Sequence, residues 1–125
     1  MIVVSDTSPI LNLARIGRLE LLPLLYHQVL IPPTVYAELT RSKVDLPPAI
    51  DLASAPWLII AAAKDQNRVQ ELREELDPGE AEAIVLAIER RADLLLVDER
   101  RGRRTATAAG LTVSSVSWLG QNGLD

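Results

Sequence analysis

Cysteine is absent from these 125 residues, which excludes disulfides and thiolate metal sites. Only one histidine is present, His27, so an imidazole-built zinc centre has no second ligand of its kind. Phenylalanine is missing and aromatics make up 3% of the chain, while the apolar share is 48%. The core must therefore be Leu, Ile, Val and Ala packed between layers, with no aromatic box for a cofactor. Long hydrophobic runs are also lacking. Leu94 to Val97 and Trp57 to Ala63 fall far short of the roughly 20 residues that span a bilayer, so no membrane association is expected. Asp6 interrupts any leader-like apolar start, and the expectation is a soluble cytoplasmic protein. Positive charge is in deficit too, at a net −4, which argues against a broadly basic nucleic-acid surface. The exception is local: Arg100, Arg101, Arg103 and Arg104 cluster within five residues.

What the chain does have is alternation. Short β-type runs at Ile2 to Val4, Val29 to Ile31, Trp57 to Ile60, Leu94 to Val97 and Leu111 to Val113 are apolar, as strands covered on both faces should be. Proline marks helix starts between them, at Ser8-Pro9, Pro32-Pro33, Pro47-Pro48 and Asp77-Pro78. Gly17 and Gly110 stand where helices should end. A single domain over residues 1–125 is expected, an α/β sandwich with helices on both faces of a parallel sheet, for which 3-2-1-4-5 is one order that makes strands one and four neighbours.

That order places the ends of strands one and four at the reversal point, where such sheets bind ligands. Asp6 follows the first and Asp98 the second. An aspartate after a strand is also an ordinary turn former or helix cap, so each alone is ambiguous. Glu80 lies in Asp77-Pro78-Gly79-Glu80, which reads as a capping box. At 100° per residue, however, Ile84 and Ala87 flank it within about 40°. Glu80 thus begins a buried stripe, while Glu82 and Glu89 fall on the opposite side, expected to face solvent. Glu38 borders Val35 and Leu39 on the helix after strand two; alone it is an unremarkable surface glutamate.

Four stretches carry a family resemblance. Val4-Ser5-Asp6-Thr7-Ser8-Pro9-Ile10-Leu11, Val35-Tyr36-Ala37-Glu38-Leu39, Gly79-Glu80-Ala81-Glu82-Ala83-Ile84 and Leu95-Leu96-Val97-Asp98-Glu99-Arg100 resemble the successive motifs of PIN-domain nucleases, in order and spacing. The resemblance covers residue 2 to about 115. It implies a three-layer α/β/α sandwich around a five-stranded parallel sheet in the order 3-2-1-4-5, and a Mg²⁺- or Mn²⁺-dependent ribonuclease, of the VapC type among bacterial and archaeal members, whose catalytic and metal-binding residues match Asp6, Glu38, Glu80 and Asp98. Thr7, Ser8 and Glu99 match as candidate auxiliary groups. RNA is the implied substrate, and a small antitoxin protein an implied partner.

The residue types suit that chemistry. Hydrolysis of an anionic phosphodiester needs charge stabilisation and a nucleophile at neutral pH, and hard divalent cations on carboxylates supply both. Arg100, Arg101, Arg103 and Arg104 are candidates for phosphate contacts, set against the plain reading of a solvated helix face. The leucine-rich stretch from Leu19 to Leu25 is a candidate surface for a homodimer or an antitoxin, as well as core. Trp57, Trp118 and Tyr36 read as packing groups. Two other readings compete: a binding or regulatory module with a vestigial site, and a receiver-type signalling domain. The second requires an Asp after strand three and a Lys after strand five, and this chain has neither, its lysines being Lys43 and Lys64.

Overall fold

The computed structural model describes residues 1–41 and 55–114. Five strands, β1 (Val3–Ser5), β2 (Val29–Ile31), β3 (Leu58–Ile60), β4 (Leu94–Leu96) and β5 (Val113–Ser114), form one parallel sheet. Its order is β3-β2-β1-β4-β5, the order that the resemblance implies. Each strand lies within a residue or two of its sequence-derived position. Among the described residues, six helices surround it: α1 (Thr7–Arg15), α2 (Leu21–Tyr26), α3 (Pro33–Arg41), α4 (Gln66–Leu72), α5 (Pro78–Glu89) and α6 (Arg100–Ala108).

Alternation along each strand divides the core in two, because successive side chains point to opposite faces. Val3, Val29, Ile31, Leu58 and Leu96 pack with Ile10, Leu13, Leu22, Val35 and Leu39. Val4, Leu95 and Val97 pack on the other face with Val69, Ile84, Leu86 and Ala106. Of the core's leucine stretch, Leu21 and Leu22 are buried and Leu24 and Leu25 exposed. Tyr36 and Trp57 pack against the first cluster. No helix among the described residues is long and apolar enough to cross a membrane.

Helix starts follow proline with one correction. α3 opens at Pro33 and α5 at Pro78. α1 opens two residues ahead of Pro9, with Asp6 rather than Ser8 in the capping position. The first-turn N–H groups have no intrahelical acceptor anyway, so proline is tolerated as the third helical residue. Gly17 and Gly110 adopt φ of 71° and 86° after α1 and α6, the left-handed conformation expected of them. Pro47-Pro48 and Trp118 lie outside the described residues.

α5 departs most from its wheel. It is buried from Gly79 to Ala87 on every side, held between the sheet, α3, α4 and α6. Glu82, expected at the surface, is 4% exposed. Donors make that burial tolerable: Thr34 Oγ1 at 2.8 Å, the Ala63 backbone N–H at 3.1 Å and Gln66 Nε2 at 3.4 Å. Glu82 is thereby a tie between α3, α5 and the segment before α4. Glu89 ties the same segment, accepting from the backbone N–H groups of Lys64 at 2.8 Å and Asp65 at 2.7 Å.

Candidate metal and nucleic-acid site

β1 and β4 run side by side, Val3 to Ser5 against Leu94 to Leu96, and the Asp6 N–H extends the ladder to the Leu96 carbonyl at 3.0 Å. Both strands therefore end together, and the loops that follow meet at one edge. Asp6 sits there with 3% exposure. It occupies the capping position of α1, yet its side chain makes no capping bond. Its pKa rises from 3.8 to about 8, chiefly through burial, with Glu80, Glu38 and Glu99 adding repulsion and the Thr7 backbone hydrogen bond opposing. The simple helix-cap explanation of Asp6 thus leaves most of its environment unaccounted for.

Glu80 is a cap and something more. The capping box with Asp77 is formed, and Glu80 Oε1 accepts from the Asp77 N–H at 3.3 Å. The other oxygen, Oε2, is buried without a hydrogen-bond partner. Burial raises the pKa of this carboxyl, and Glu99 and Asp77 add to the rise. Asp77, Glu80 and Glu99 each bring a carboxylate oxygen within 4.8 Å of the others.

Glu38 reaches the edge from α3, and its Oε2 accepts from Thr7 Oγ1 at 2.5 Å. Asp98 accepts from Asn12 Nδ2 at 2.8 Å. Glu80, Glu38 and Glu99 act on Asp6, and Asp98 is tied to α1 through Asn12. The sequence favours Asp98 over Glu99 because Asp98 follows the fourth strand directly and matches the late aspartate of the resemblance. Asn12 and Asp77 gave no signal beyond a helix-surface amide and a capping residue. Ser8 is the second residue of α1.

The arginines begin α6 and are exposed. Arg101 Nη1 donates to the Glu75 carbonyl at 2.9 Å, and with Arg104, Glu74, Glu75, Thr105 and Ala108 it lines a groove of about 570 Å³. Arg101 also acts on Glu80, opposing the rise in its pKa, so the start of α6 sets cations beside the acidic cluster.

Comparison with known proteins agrees with the fold. The model of a family described as PIN domain, DUF3368, matches residues 2–119. The chain belongs to the PIN-domain family. Among solved structures, a PilT N-terminus domain protein from the hyperthermophilic archaeon Sulfolobus solfataricus P2 is similar over 100% of this chain and 95% of that one. Their TM-score is 0.72 at 20% identity. At that identity the likeness concerns the fold. No curated protein matches the chain significantly. This PIN domain thus combines a nuclease-type fold with an acidic cluster at the switch point of its sheet.

Proposed function

We propose that this PIN domain is a Mg²⁺- or Mn²⁺-dependent endoribonuclease acting on single-stranded RNA. The observation that carries the reading is Asp6, buried at the switch point among three glutamates that raise its pKa. Such a group is stable as a carboxylate only when positive charge enters. The donor set fits a hard divalent cation, being all oxygen and including the orphaned Oε2 of Glu80. Asp6, Glu38, Glu80 and Glu99 are the residues that would hold it, with Asp98 next in line. When bound, the cation would polarise the scissile phosphate and lower the pKa of an attacking water.

The chain's own groups do the rest. The Thr7 hydroxyl orients Glu38, the candidate base toward an attacking water. Asn12 fixes Asp98. The exposed Arg100, Arg103 and Arg104 supply phosphate contacts that place the RNA without reading its sequence.

The test is cleavage of single-stranded RNA in Mn²⁺. Cutting that EDTA and Asp6→Asn each abolish is expected. RNA bound but left intact by the wild type contradicts the reading and favours a binding module. A toxin role, with a small antitoxin as partner, is part of the proposal and rests on family resemblance. Growth arrest on induction of the wild type but not Asp6→Asn supports it, and unimpaired growth contradicts it.

A further inference from the structure

Among the described residues, two of the four glycines lack the backbone reason that explains the other two. Gly17 and Gly110 have positive φ, whereas Gly79 and Gly102 lie in the first turns of α5 and α6 with ordinary φ. Inside a helix, glycine is about 1 kcal/mol less favourable than alanine. The space beside each supplies a reason. A Cβ at Gly102 would stand 2.6 Å from Glu80 Oε2 and 3.1 Å from Val97 Cγ2. A Cβ at Gly79 would stand 2.9 Å and 3.0 Å from the two oxygens of Glu38. On two helices, the missing methyl is replaced by a carboxylate of the acidic site.

Neither carboxylate is loose. Glu80 is held through Oε1 by the Asp77 N–H, and Glu38 through Oε2 by the Thr7 hydroxyl. An added methyl must displace the carboxylate or the helix, because contacts below 3 Å are not sustained at Cβ. We propose that Gly79 and Gly102 are positioning residues, whose absent side chains set the depth at which Glu38 and Glu80 sit in the cation site. This rests on the metal-dependent reading above and extends it to two residues that carry no donor atom.

Helix propensity and positioning predict opposite outcomes for Gly79→Ala and Gly102→Ala. Propensity alone gives a more stable protein with unchanged Mn²⁺ affinity. Positioning gives a Mn²⁺ affinity lowered about tenfold or more, as when groups that orient metal ligands are altered. The readouts are the electron paramagnetic resonance signal of free Mn²⁺ and urea unfolding in EDTA. Shortening the displaced side chain should restore room, so Gly102→Ala with Glu80→Asp, and Gly79→Ala with Glu38→Asp, should each regain affinity over the alanine variant alone. Alanine variants that bind Mn²⁺ like a binding wild type overturn this inference alone; a wild type that binds none overturns the metal reading. If an alanine variant does not fold, a folded, Mn²⁺-binding double variant supports the inference and an unfolded one overturns it.

Discussion

Asp6 holds its proton far above the usual carboxylate range, at about 8 against 3.8, because burial and three glutamates penalise its charge. The unfolded chain releases that proton near pH 4, the folded one near pH 8. The contribution of this carboxyl to stability is therefore full below about pH 4 and is lost as pH rises through about 8. In EDTA, the melting temperature of the wild type should fall relative to that of Asp6→Asn across this window. A constant difference between the two would show that Asp6 titrates normally. The same logic makes cation binding proton-coupled, since the site must deprotonate to accept a cation.

At the scale of elements, α5 holds two buried glutamates with opposite circumstances. Glu82 has three donors, and Glu80 has an oxygen with none. Glu82→Ala should lower the unfolding free energy by roughly 1–3 kcal/mol, since the Ala63 N–H and the Thr34 hydroxyl lose their acceptor. Glu80→Gln should leave cation-free stability unchanged or raise it. Equal losses from both, read by urea unfolding in EDTA, would contradict this distinction. The sequence pattern revealed the strands well, because short apolar β-branched runs have one plausible setting in a parallel sheet. It revealed Glu80 through its place on the buried stripe. Glu82 escaped because a helical wheel presumes one solvent side, and α5 has none. Glu99 was ranked below Asp98 for a related reason. Between the end of β4 at Leu96 and the start of α6 at Arg100 there is no periodicity to say that Glu99, though exposed, brings an oxygen within 4.8 Å of Glu80.

Across the whole molecule, topology does what no single residue can. Residues 6, 38, 80 and 99 are scattered along the chain, and the sheet order gathers them by ending β1 and β4 at one edge. Alternation points to a parallel sheet and the resemblance supplies its order, with which the family match agrees. With a net charge of −4, the proposed RNA binding must rely on the local arginines. Arg100→Ala with Arg103→Ala should weaken RNA binding alike across sequences and flatten its salt dependence, leaving Mn²⁺ affinity unchanged. Binding isotherms at several salt concentrations check this, and an unchanged salt slope would contradict it. The central claim is that these carboxylates together form a cation site, and calorimetric titration of Mn²⁺ at pH 8 tests it most directly. The account predicts saturable binding by the wild type that is weakened at least about tenfold by Asp6→Asn. No binding by the wild type, or equal binding by both proteins, contradicts it.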